Sequence, residues 1–103
     1  RVVLVTAPRG DVAASLAREL VGSRLAACVN IVPGVRSIYS WQGDLCDDSE
    51  DLLIVKTAED RLDALVEHVR AVHPYSVPEV IALPIESGSA AYLDWVAAET
   101  RPR

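Results

Sequence analysis

The sequence predicts an α+β sandwich in which a strand and a helix are followed by two strands, a helix, a strand and a final helix. Three observations carry that prediction. Apolar runs of strand length stand at Arg1–Thr6, Leu52–Val55 and Val80–Ile85. Two stretches between them repeat apolar residues at helical spacing. The segment Leu25–Thr57, about a third of the chain, reads as one long β-hairpin turning at Gln42-Gly43.

Each element has its own warrant. Arg1–Thr6 (RVVLVT) is a continuous apolar run, suited to a central strand. Pro8-Arg9-Gly10-Asp11 breaks it and opens a helix whose apolar face is Val12, Leu16, Ala17 and Leu20. Gly22 is its natural stop. The first hairpin arm is rich in Val, Ile, Tyr and Trp, which suit a pleated, half-buried surface. The second arm ends in Leu52-Leu53-Ile54-Val55. Thr57 and Asp60 have the spacing of a capping box. Leu62, Leu65, Val66 and Val69 then form the stripe of a second helix. It must end before His73-Pro74, because the residue before proline disfavours the helical region. Tyr75–Pro78 is a loop, and Pro84 closes the last strand, Val80–Ile85, implying an edge or a strand end. Gly88-Ser89 cap a third helix carrying Tyr92, Trp95, Val96 and Glu99.

This order is the ferredoxin-like βαββαβ arrangement with an added C-terminal helix. Right-handed crossovers place strands one and three in the middle and strands two and four at the edges. The hairpin's first arm is therefore an edge strand, and it is too long for its domain. Leu25–Trp41 would extend ~56 Å at ~3.3 Å per residue. A compact chain of this size is roughly 33 Å across. Pro33-Gly34 offers a bend or bulge, yet Val35–Trp41 beyond it still spans roughly 23 Å. A tip bearing Ile38, Tyr39 and Trp41 is an exposed aromatic edge that aggregates unless covered. The expected cover is a second copy of the chain.

At 103 residues the chain, 1–103, is expected to be one domain. Half of it is hydrophobic without any Phe or Met, so aliphatic side chains and Ala must fill the core. A net charge of −5 argues against a nucleic-acid partner, which needs a basic stripe. The longest apolar run is far below the ~20 residues of a bilayer span, and no cleavage-type leader pattern opens the chain. The expectations are no membrane and a cytoplasmic location. Nucleotide-binding loops, nucleophile elbows and zinc-protease motifs do not occur. The chain is accordingly expected to be non-enzymatic, without an organic cofactor. Pro8-Arg9-Gly10 before a helix is only a thin anion-binding feature.

Few residues could carry chemistry. Cys28, on an apolar strand, is a small hydrophobe or else a thiolate ligand or reactive thiol. Asn30 shares its face. Cys28 and Cys46 lack metal-type spacing. His73 either coordinates a metal or caps the last carbonyls of the second helix. His68 is expected to face solvent. Asp44, Asp47, Asp48, Glu50 and Asp51 form an acidic run, read as edge-strand gatekeepers or as a weak divalent-ion surface. Lys56, Glu79, Tyr39, Trp41 and Tyr75 gather polar groups and aromatic faces near strand ends. They would form either an inter-subunit cleft for a small anionic ligand or other small metabolite, or an ion pair locking the assembly.

Ala27–Asn30 (ACVN), Ser37–Gly43 (SIYSWQG), Leu53–Thr57 (LIVKT), His73–Glu79 (HPYSVPE) and Ala82–Pro84 (ALP) occur in that order. On these motifs the chain, from Val2 to about Glu99, resembles the CutA family, named for divalent-cation tolerance. The resemblance implies a homotrimer of ferredoxin-like subunits with hairpins packed across them. It also implies a role in tolerance of copper or another divalent cation. Of the metal ligands proposed in relatives only His73 has a counterpart, since Val5 and Val72 replace the others. Copper would then lean on His73, with Cys28 or the acidic run as secondary partners. The alternative is a PII-like small-molecule sensor trimer with no metal role. A small acyl phosphatase on the same fold is a third class.

Overall fold

The computed structural model describes residues 1–102. The elements are β1 (Val2–Pro8), α1 (Val12–Gly22), β2 (Cys28–Trp41), β3 (Asp44–Lys56), α2 (Leu62–Val72), β4 (Val80–Leu83) and α3 (Ala90–Glu99). A single 3-10 turn, Glu59–Arg61, leads into α2. The sheet order is β2-β3-β1-β4, every neighbouring pair antiparallel. The central and edge strands are those that right-handed crossovers require.

Alternation along β1 and β3 sorts the side chains. Val3, Val5, Ala7, Leu53 and Val55 are buried on one face against Ala13, Leu16 and Leu20 of α1 and Leu65 and Val69 of α2. This is the aliphatic core anticipated from a chain without Phe or Met. Removing one of its fully buried leucines, Leu53 or Leu65, to Ala would cost ~2–5 kcal/mol. The opposite face carries Leu4, Leu52 and Ile54, half-buried, and Val32, Ile81 and Leu83, exposed.

The hairpin behaves as its length predicts. Gln42 and Gly43 have φ of 50° and 86°, the two left-handed residues of a two-residue turn matched to strand twist. The chain measures 44 × 27 × 21 Å with a radius of gyration of 14.1 Å, above the ~13 Å of a compact chain this long. The excess length is the ribbon beyond β1, whose pairing with β3 stops at Pro8 and Glu50.

Local details depart from the sequence expectation. Gly22 ends α1, but the left-handed residue is Arg24, with φ of 62°. Its guanidinium donates to the carbonyls of Ala98 (2.7 Å) and Arg101 (2.6 Å), placing a cation at the C-terminal end of α3. Thr57 does not cap α2. It sits at the buried end of β3, and its hydroxyl donates to the Leu25 carbonyl at 2.6 Å. Asp60 instead pairs with Arg101 at 2.6 Å. His68 meets solvent only in part: its side chain is 29% exposed, while its Nε2 is buried without a hydrogen bond among the described residues, 3.8 Å from Glu19. β4 ends at Leu83, because Pro84 can donate nothing to a ladder.

Candidate functional site

Pro33-Gly34 decides which way the ribbon's side chains point. Before it, Cys28, Asn30 and Val32 pair with Lys56, Ile54 and Leu52. After it, Val35, Ser37, Tyr39 and Trp41 pair with Glu50, Asp48, Cys46 and Asp44. One extra residue has entered β2, so the face exposed to the open side of the sheet passes from even to odd numbers. Without that bulge Tyr39 and Trp41 would lie on the helix side. Gly34 takes φ of 75°, and its N–H donates to Asp51 Oδ1 at 3.2 Å. Arg9 Nε binds the same oxygen at 2.9 Å, and Arg9 Nη1 donates to Ser49. Asp51, only 5% exposed, therefore holds the bulge. The one arginine considered for phosphate binding is engaged there.

On the open side, the ribbon and the loop between α2 and β4 enclose a pocket of about 780 Å³. Tyr39, Trp41, Tyr75, Asp48, Glu50 and Glu79 line it, together with Arg36 and Thr6. Its volume falls in the range typical of small-molecule sites. The Tyr39 hydroxyl donates to Asp48 Oδ2 at 2.5 Å, and the Tyr75 hydroxyl donates to Glu50 Oε2 at 3.0 Å. The bond to Asp48 raises the Tyr39 pKa well above the ordinary phenol value. Burial, then the bond to Glu50, pushes Tyr75 up to about 12. Arg36 is clipped across the hairpin to Asp47 by two hydrogen bonds of 2.9 and 2.7 Å, which lower the Asp47 pKa.

His73 positions the far wall. It is 8% exposed at the end of α2. Its Nε2–H donates to the Thr6 carbonyl at 2.7 Å, one residue past the last β1–β4 pair, Val5 with Val80. Its Nδ1 accepts the Tyr75 N–H at 3.1 Å, and the two rings pack with centroids 4.7 Å apart. The imidazole is thus a strut tying the loop that carries Tyr75 and Glu79 to the sheet.

The residues anticipated for a cleft divide into two groups. Tyr39, Trp41, Tyr75 and Glu79 come together. Lys56 does not join them: it pairs with Cys28 and Val2 at the other end of the sheet, and its ammonium donates to Asn30. Val2 lies four residues along β1 from Thr6, roughly 13 Å. Cys28 lies at that same far end and two strands over, on β2, so it is further still from His73. Both His73 nitrogens are already bonded, and the described residues contain no group of three His, Cys, Asp or Glu side chains able to hold a metal ion. The donor set does not fit a preformed copper centre. The acidic run also divides. Asp44, Asp47 and Asp48 are exposed on the ribbon, whereas Glu50 and Asp51 are buried, and β3 is a central strand at their level. Asp48 and Glu50, read from the sequence only as part of the acidic run, and Arg36, not singled out at all, also line the pocket. The available signal was the even-numbered spacing Glu50-Leu52-Ile54, which places Glu50 on the open face.

The family described as CutA1 divalent ion tolerance protein matches residues 1–99. A solved structure of the divalent cation tolerance protein (Cut A1) from Thermus thermophilus is 54% identical, with a TM-score of 0.94 and 97% of each chain covered. The chloroplastic protein CutA 1 of Oryza sativa is 54% identical over 100 residues, covering 97% of this chain and 56% of that one, so the chain spans about half its length. The structure of the PII-like protein CutA from Nostoc sp. PCC 7120 is 32% identical, with a TM-score of 0.92, covering 99% of this chain and 98% of that one.

Proposed function

This chain belongs to the CutA1 divalent ion tolerance family, and from that membership we propose that it acts as a homotrimeric, non-catalytic binding protein in the cytoplasm. A small ligand is taken up in the pocket between the ribbon and the loop before β4, and a neighbouring subunit completes its walls. One observation carries this: the pocket of about 780 Å³ lies at the root of a ribbon that leaves the body with Ile38, Tyr39 and Trp41 exposed. Apolar side chains on the open sheet face, Val32, Ile81 and Leu83, supply further surface for assembly. The PII-like description of the Nostoc relative supports a sensing role.

Divalent-cation binding is the second reading. The family description and the exposed Asp44, Asp47 and Asp48 favour weak, surface-held ions over a buried copper site. The test is direct. Light scattering at micromolar concentration should give three times the chain mass. Thermal-shift screening of small molecules against Cu(II) and Zn(II) should place the larger shifts with the molecules. A stable monomer would end the proposal.

A further inference from the structure

The pocket's lining points to the charge of its ligand. Three carboxylates, Asp48, Glu50 and Glu79, face it, against one guanidinium, Arg36, whose charge is already matched by Asp47. Glu50 is 6% exposed, and among the described residues only Tyr75 donates to it, through Oε2. The other Glu50 oxygen has no partner among the described residues and keeps contact with the pocket's solvent, so it is free to accept from a bound donor or to pair with a cation. Lys56, the one cation expected here, stands at the other end of the sheet. The walls are aromatic: Tyr39, Trp41 and Tyr75. Aromatic faces attract cations through the ring quadrupole, tryptophan most strongly. Two of these rings give their hydroxyl hydrogens to carboxylates, which leaves the rings more electron-rich. We propose that the pocket between the ribbon and the loop before β4 binds a small organic cation, an amine or quaternary ammonium, held by Glu50, Asp48 and Glu79 and stacked on Trp41 and the two tyrosines. Burial is the first cause of the raised Tyr75 phenol pKa, and the bond to Glu50 and the charges of Glu50 and Asp48 add to it.

This rests on the pocket reading above and replaces an anionic ligand with a cationic one. The probes are choline and putrescine, with choline's neutral carbon isostere and citrate as controls. They are titrated calorimetrically into the assembled protein. Choline or putrescine should bind once per chain, at least tenfold more tightly than the isostere, and citrate should not compete. Glu50→Gln keeps the shape and the Tyr75 bond while removing charge, and it should weaken binding at least tenfold. Glu79→Gln, at an exposed position, should weaken it severalfold without touching the fold. Trp41→Leu should weaken both cations. Cation binding unchanged in Glu50→Gln and Glu79→Gln would overturn the proposal. Citrate binding lost in Trp41→Leu, with no cation binding, would overturn the cation but keep the pocket. Silence from every probe, with Trp41→Leu altering only assembly, would end both.

Discussion

Replacing His73 with Ala isolates the strut. The change removes a bond to the Thr6 carbonyl and one from the Tyr75 N–H, at 2.7 and 3.1 Å. The Thr6 carbonyl is left in a half-buried setting, at ~1–2 kcal/mol. The Tyr75 N–H, on an exposed residue, can rehydrate, so only the net bond of ~0.5–1 kcal/mol is lost. The missing ring adds ~1 kcal/mol of lost packing against Tyr75. Together these give ~3 kcal/mol. His73→Gln retains one donor and should recover about half of that. Urea unfolding followed by tryptophan fluorescence measures both, at fixed chain concentration because assembly adds to apparent stability. Copper titration of the same variants gives the second readout. A His73→Ala protein within ~0.5 kcal/mol of the parent would refute the strut. If that same protein also lost stoichiometric copper binding, His73 would be a ligand after all.

Other perturbations are shorter to state. Asp51→Ala strips the bulge of its anchor and should cost ~1–3 kcal/mol, with chemical-shift changes from Gly34 through Trp41. Gly34→Ala meets both a φ of 75° and Arg9 Nη1 at 3.2 Å from the new Cβ, and should cost about 1–2 kcal/mol by denaturation. Tyr75 ionises near 12 in the fold against about 10 when unfolded. Its contribution is fully present below about pH 10 and is lost as pH rises through 12, so Tyr75→Phe should flatten the alkaline arm of the stability curve. Tyr39 and Tyr92 shift in the same direction, so a spectrophotometric titration should show less phenolate than free tyrosine at the same alkaline pH. Trp41→Ala should leave the single-chain fold intact while raising the concentration needed for assembly at least tenfold, read by sedimentation.

Features set by nearby residues were legible in the sequence. Helical spacing marked Leu16, Leu20, Leu65 and Val69. Gln42-Gly43 marked the turn, and Pro33-Gly34 marked the bulge. Features set by distant partners were not. Thr57 and Asp60 satisfy the local rule for a capping box, but Thr57 answers to Leu25, 32 residues away, and Asp60 to Arg101, 41 away. His73 carries no sequence sign of its bond to Thr6, 67 residues earlier. Lys56 and Glu79 both sit at strand ends, and only the register of the sheet reveals that the ends are opposite ones. Glu50 resembled its acidic neighbours because composition does not record where β1 stops.

The bulge gives the ribbon a frame of its own, with a period of two. Deleting one residue between Gly34 and Tyr39 would leave strands able to pair, yet would carry Tyr39 and Trp41 to the side away from Glu50. Deleting two would shorten the arm and keep the rings on the carboxylate side. Length changes in this stretch should therefore be tolerated in even steps and damaging in odd ones, whatever residues are involved. A set of deletion variants, scored for ligand binding and for folding separately, would expose that alternation.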